Sequence, residues 1–328
     1  MSDHRTRVVL LGEGADSERW ARVLRPFARV CRSIEKLPGA DALVIAPCAV
    51  DPFARAKEAL QNGVAVLYGA PFTLSPWQTN VLVEVSRRQG AQLRFAEPFQ
   101  HQPGFAFLKR LLQGDEPFWR PLYLRLLRTA PADGPRRIDE LAAEELATCL
   151  ALLGETPRSV TAAASRRDHV GEPCAVFLLL QQPEGPPVEA TVSLAEATSV
   201  DQIVAVTAEH TIVLDDPHTV ATLRITGDGE LAAPVPGLSQ PAVDPLLEEC
   251  RRFLRAVADR DASFGNGERW AQAAGLWWAA RQSMSFGGTM RMPATSRDAE
   301  PPPLTVIQGG GKSSSAKRAR PALTLVAG

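Results

Sequence analysis

The stretch from Asp41 to Ser75 most constrains the fold. Ala42-Leu43-Val44-Ile45-Ala46 is an unbroken apolar run of the length of a strand buried on both faces of a parallel sheet, and Pro47 ends it. Phe53, Ala56, Ala59 and Leu60 then recur at helical spacing, Gly63 supplies a C-terminal stop, and Val64 to Tyr68 makes the next strand. Strand, helix and strand at this spacing form a βαβ unit with a right-handed crossover. The turn Tyr68-Gly69-Ala70-Pro71 leads into a further helix opening at Pro76.

Upstream, Arg7 to Leu11 reads as a first strand, followed by Gly12-Glu13-Gly14 and a helix carrying Trp20, Ala21, Val23 and Leu24. A dinucleotide-binding turn uses its first glycine for the bend, its second to let a pyrophosphate approach, and its third for helix–strand packing. Gly12 and Gly14 hold the first two places and Ser17 the third. The second strand should end in an acidic residue that binds the adenosine ribose. Ala28-Arg29-Val30-Cys31-Arg32-Ser33 has none and runs through Ile34 to Pro38 almost directly into Asp41, so a helix and a strand are missing or much shortened. Arg29 and Arg32 are expected to be solvated surface residues.

The rest of the chain changes character once. Helices are expected over Pro76–Gln89 and Phe105–Leu112 around a strand at Ala91–Ala96, then a strand at Pro121–Leu127 and a helix over Asp139–Leu153 ended by Gly154. Six strands follow between Ser159 and Ile225, the pattern of an open, largely antiparallel sheet. Two helices close the domain, one with Leu246, Cys250, Phe253 and Val257 on one face, the other carrying Trp270, Trp277 and Trp278 as a packing face. The expected fold class is α/β. A shortened, Rossmann-like, doubly wound parallel sheet spans residues 1–118, a C-terminal α+β domain spans 119–292, and 293–328 form a disordered basic tail.

With 328 residues, 45% hydrophobic content and net charge −1, the chain can bury a sizeable core, and nucleic acid is an unlikely partner. No apolar run has membrane-spanning length and Met1 to Arg5 lacks a signal-peptide stretch, so the expected location is the cytoplasm without membrane contact. Five scattered cysteines include no Cys-x-x-Cys pair and are expected to be mostly buried thiols, with no metal site or disulfide framework. No lysine lies between Arg110 and Gly311, which excludes a lysine mechanism from that span, while Lys57 and Lys109 are expected on solvated helix faces.

This layout resembles the Gfo/Idh/MocA oxidoreductases, the family of glucose-fructose oxidoreductase and inositol dehydrogenase, over most of residues 5 to 290. Ala46 to Pro71 follows the family's Ala-Thr-Pro-like turn, helix, strand and Glu-Lys-Pro turn without a gap. Glu97-Pro98-Phe99 and His101 to Phe105 look like its next loop and helix, and Arg120-Pro121-Leu122-Tyr123 like the Gly-Arg-Pro-Leu lead into its second domain.

The resemblance implies NAD or NADP as cofactor, held by Gly12, Gly14, Pro47, Cys48, Gly69, Ala70, Pro71 and Glu97, a sugar-like ligand, and a homo-oligomer formed through the C-terminal sheet. It also marks departures. Ala70 stands where the family has its lysine, and Glu140 and Glu144 where it has Asp-x-x-x-His, so neither usual catalytic group survives. The expected outcome is a non-catalytic or altered ligand-binding or interaction protein with weak NAD(P) binding. The alternative is an NAD(P)-dependent sugar or cyclitol dehydrogenase rebuilt around Glu144 or His101 as base. Glu144 is also explained by a solvated, acidic helix start shared with Asp139, Glu140 and Glu145, and His101 by an ordinary loop position. The basic tail offers a third possibility, a protein partner.

Overall fold

A computed structural model describes residues 5–47, 49–69, 74–114, 120–131, 137–165, 172–217, 222–227 and 244–292. The first layer is a parallel sheet of β1 (Thr6–Leu11), β2 (Ala28–Cys31), β3 (Ala42–Ile45), β4 (Ala65–Tyr68) and β5 (Leu93–Phe95), in the order β2-β1-β3-β4-β5. Every residue of β3, β4 and β5 is buried, as their apolar runs require. The strand order reverses between β1 and β3, which puts the topological switch point, and the crevice that goes with it, at their carboxyl ends.

Helices cover both faces. Alternate residues Val8, Leu10, Ala42, Val44 and Leu67 pack against α1 (Gly14–Leu24) and α6 (Pro245–Asp259). Val9, Leu43, Ile45, Val66 and Tyr68 pack with α2 (Pro52–Gln61), α3 (Pro76–Gln89) and α7 (Gly267–Phe286). The α3 helix opens on a Ser75/Gln78 capping box and ends on Gly90 at φ 62°. Only a 3-10 turn, Ile34–Gly39, joins β2 to β3, so β2 is an edge strand, in keeping with the shortening read from the sequence. The other edge is capped by a side chain. The Asn266 amide accepts from the Phe95 N–H at 2.7 Å and donates to the Phe95 carbonyl at 2.8 Å, as a neighbouring strand would.

The second layer is an eight-stranded sheet, β12-β11-β10-β6-β9-β8-β7-β13. Its strands are β6 (Tyr123–Pro131), β7 (Ser159–Ala164), β8 (Ala175–Gln181), β9 (Val188–Glu196), β10 (Asp201–Val206), β11 (His210–Asp215), β12 (Thr222–Gly227) and β13 (Met290–Arg291). Only β6 and β9 run parallel; the other pairs are antiparallel. One face is covered by α5 (Ile138–Leu153) and α7, with α4 (Pro103–Gln113) packed beside α5. On β8, Val176, Leu178 and Leu180 point inward while Phe177 and Leu179 stand exposed on the open face. A parallel, helix-covered sheet joined to a largely antiparallel one is the α/β architecture expected from the sequence. Among the described residues no helix is long and apolar enough to cross a membrane. The tail from Pro293, and Cys48, Ala70 and Pro71, lie outside the described residues.

Candidate functional site

Gly12, Pro47 and Gly69 converge at the carboxyl edge of the parallel sheet. Gly12 has φ 130°, and a Cβ there would sit 2.9 Å from Ala46 Cβ and 3.2 Å from the Pro47 carbonyl. Only glycine lets the end of β1 lie this close to the end of β3. Gly69 is as tightly held, since a Cβ would meet the Ile45 carbonyl at 2.6 Å and Trp20 Cζ2 at 2.8 Å. Gly14, by contrast, begins α1 at φ 76°, and a Cβ there would meet nothing within 4 Å, so its backbone is open to close approach. The third place of the motif, Ser17, is fully buried, and its hydroxyl has no hydrogen-bond partner among the described residues.

Charge around this turn runs against an anion. Glu13 is the N-cap of α1, without a side-chain capping hydrogen bond, and Asp16 lies in its first turn, so two exposed acidic residues add negative charge near the positive end of the helix. After β2, Arg32 is exposed at the surface, as expected, and its guanidinium makes a solvated ion pair with Glu18 of α1 at 2.7 Å.

Glu97 and His101 are both turned into the scaffold. Glu97 is fully buried at the end of β5, accepting from Trp270 Nε1 at 2.9 Å, Asn266 Nδ2 at 2.7 Å, Gln100 and Arg269. Burial raises its pKa, against the opposing pull of Arg269 and Arg94. His101 Nε2 lies 2.6 Å from Glu249 Oε2 on α6, and Arg94 Nε donates to Glu249 Oε1 at 2.6 Å. These two contacts hold Glu249 at a pKa of about 2 although burial alone would push it up. Lys109 is half-buried rather than solvated, its pKa lowered by burial and by the nearby Arg269.

The acidic stretch of α5 is not solvated either. Glu140 and Glu145 are buried, and the Glu144 carboxylate pairs with Arg128 at 3.0 Å. The reason lies on β6, where the alternation Leu124, Leu126, Arg128 carries a guanidinium onto the inner face beneath α5. Neither oxygen of Glu145 is hydrogen-bonded among the described residues, and burial, with Asp201 close by, lifts its pKa to about 8.

On its other side, α5 borders a cavity of about 320 Å³ between the starts of α3 and α5 and the middle of α7. Arg137, Asp139, Glu140, Trp277, Trp278 and Arg281 line it. Asp139 accepts from Trp277 Nε1 at 3.0 Å and Arg281 Nη1 at 2.8 Å, while the Arg137 N–H donates to Glu140 at 3.3 Å. The tryptophans therefore divide: Trp270 and Trp277 are buried, as a packing face should be, and Trp278 is 57% exposed. The structure thus brings Gly12, Gly14, Pro47 and Gly69 to one edge, but carries His101 and Glu97 to α6 and α7 and Glu144 to β6. Of the cavity residues, motif reading reached Glu140 but not Arg137 or Arg281, and it missed Arg128, for which inward parity on β6 was the available signal.

No family profile matches the chain, and no curated protein does. Solved structures do. UDP-N-acetylglucosamine 3-dehydrogenase GnnA from Acidithiobacillus ferrooxidans superposes with TM-score 0.71 at 20% identity, covering 85% of this chain and 97% of that one. An aldose-aldose oxidoreductase from Caulobacter crescentus complexed with glycerol gives TM-score 0.73 at 13% identity, covering 88% and 100%. GenD2 from gentamicin A biosynthesis, in complex with NAD, gives 0.69 at 18%, covering 88% and 97%. At such identities the likeness shows the fold, the two-domain architecture of Gfo/Idh/MocA oxidoreductases.

Proposed function

We propose that this chain uses the oxidoreductase fold as a ligand-binding or interaction protein with altered chemistry, taking a sugar-like molecule in the cavity between α3, α5 and α7. The observation that carries the reading is the engagement of both candidate bases, Glu144 and His101, and of the cofactor-site candidate Glu97. Glu144 is paired with Arg128, His101 with Glu249, and Glu97 with four donors. A general base needs a free lone pair facing its substrate. The cavity supplies binding groups instead: the half-exposed Trp278 ring for an apolar sugar face, and Arg137, Glu140 and Arg281 for hydroxyls.

The dinucleotide implied by the fold fits this chain only in part. Gly12 and Gly14 would admit a pyrophosphate backbone-first, but Glu13 and Asp16 repel it, and the ribose-binding acid after β2 is lacking. The test is calorimetric titration with NAD(H) and NADP(H), alongside a hydride-transfer assay on sugars and cyclitols. The expected result is no affinity tighter than about 1 mM and no turnover; a micromolar dissociation constant with turnover would sink the proposal.

A second reading keeps a working NAD(P)-dependent dehydrogenase with Glu144 or His101 as base, favoured by the open Gly14 turn and by the NAD complex of GenD2. Self-association through the open sheet face, where Phe177 and Leu179 are exposed, belongs to either reading.

A further inference from the structure

The 3-10 turn that replaces a crossover helix leaves a slot beside β2, at the opposite end of β1 from Gly12. Its floor follows from strand register. Arg7 pairs with Arg29 and Val9 with Cys31, so these four side chains share one face of the sheet. Leu37 of the turn is buried in the core, and the turn leaves open a cavity of about 370 Å³, within the range of small-molecule sites. Val9 and the half-buried Cys31 form its apolar base, and Pro38, Gly39 and Ala40 its wall.

The rim is cationic. Arg7 is held by Asp41, with Nη2 3.2 Å from Oδ1, but Arg29 and Lys36 make no ion pair among the described residues, and Glu35 is the one acid beside them. A carboxylate placed between a guanidinium and an ammonium gains charge-assisted hydrogen bonds, while an apolar ring or chain attached to it would displace water from Val9 and Cys31. We infer that this slot binds a small organic acid with an apolar body, its carboxylate held by Arg29 and Lys36. The site is separate from the Gly12 crevice and from the cavity beside α5, and stands whether or not either of those takes a ligand.

Cys31 makes the inference measurable. The full chain is treated with iodoacetamide, and alkylation at Cys31 is followed by peptide mass in the presence of 4-nitrobenzoate or its neutral counterpart, 4-nitrobenzyl alcohol. The expected result is protection of Cys31 by 4-nitrobenzoate at millimolar concentration or below, at least about tenfold more weakly by the alcohol. The Arg29→Glu/Lys36→Glu variant, with an unchanged circular dichroism spectrum, should lose the protection, measured against its own alkylation rate without ligand. Equal protection by acid and alcohol, no protection by the acid even well above millimolar concentration, protection that survives the double charge reversal, or a Cys31 that does not alkylate in the native protein would each overturn it.

Discussion

Arg128 Nη1 stands 3.0 Å from Glu144 Oε2 and 3.9 Å from Glu145 Oε2, which makes one guanidinium the counter-charge for a carboxylate cluster beneath α5. Burial opposes the Arg128 charge, but Glu144, Asp201 and Glu145 outweigh it and raise its pKa. Removing one partner of a buried pair costs more than the pair itself contributes. Arg128→Met should therefore destabilise the fold by about 3–5 kcal/mol, and Glu144→Gln by about 1–3 kcal/mol. Urea unfolding of both and of the double variant should give a double-mutant loss smaller than the sum. An Arg128→Met protein as stable as wild type would show that the cluster is not held by this contact.

Glu145 gives the stability a pH dependence of definite sign. Arg128 from β6, Asp201 from β10, and Glu144 and Cys149 from its own helix face it, and its pKa rises from 4.5 to about 8 through burial first and the Asp201 charge second. Because the native state keeps this proton over a range where the unfolded chain has lost it, this contribution falls as pH rises from about 4.5 to about 8. Glu145→Gln should be more stable than wild type at pH 8, on the order of 2 kcal/mol, and should flatten the thermal-melting profile between pH 5 and pH 8. An unchanged slope would assign the proton elsewhere.

The first layer was legible because its strands are apolar on both faces and its turns carry glycines; Ala42 to Tyr68 needs no tertiary information to be placed. The shortened link after Cys31 was legible too, as a length too small for a helix and a strand. The site was less so. Asp139, Glu140, Glu144 and Glu145 looked like a solvated helix start because helix-dipole reasoning explains acids there, whereas Glu144 and Glu145 face Arg128 and Asp139 faces Trp277 and Arg281, all distant in sequence. Arg94 lies in an apolar run of β5, and its partner Glu249 is on α6, 155 residues away. Motif alignment locates a residue along the chain, not the direction of its side chain, so His101 could be assigned to a loop but not to Glu249.

That His101–Glu249–Arg94 contact fastens α6 to the parallel sheet, with Arg94 also stacked on Phe264 at 4.2 Å. Glu249→Gln leaves Arg94 buried without its counter-charge, and a loss of about 3–5 kcal/mol is expected. Since the Glu249 pKa is depressed from 4.5 to about 2, its contribution is complete above about pH 4.5 and is lost as pH falls toward 2. Acid unfolding of wild type should therefore begin below pH 4.5, and this limb should be absent from the Glu249→Gln profile. His101→Ala should cost less, because Arg94 still donates twice to Glu249; an equal loss from both variants would mean that the histidine, not the arginine, carries the contact.

If the carboxylates at the start of α1 weaken nucleotide binding as proposed, their removal should strengthen it. Glu13 at the N-cap and Asp16 in the first turn each interact with the helix end by about 0.3–1 kcal/mol. A pyrophosphate bound at this turn would feel both charges, while the backbone at Gly14 is open to close approach. A Glu13→Ala/Asp16→Asn variant should therefore bind NADH about 3- to 30-fold more tightly than wild type in a fluorescence titration at low salt. Surface charge effects are screened, so the gain should shrink in 0.5 M NaCl, where the Debye length is only about 4 Å. The same variant should leave the cavity beside α5 and the slot beside β2 unchanged, since neither is lined by these residues. No gain in affinity at low salt would show that the missing ribose-binding acid after β2, rather than charge at the turn, sets the limit.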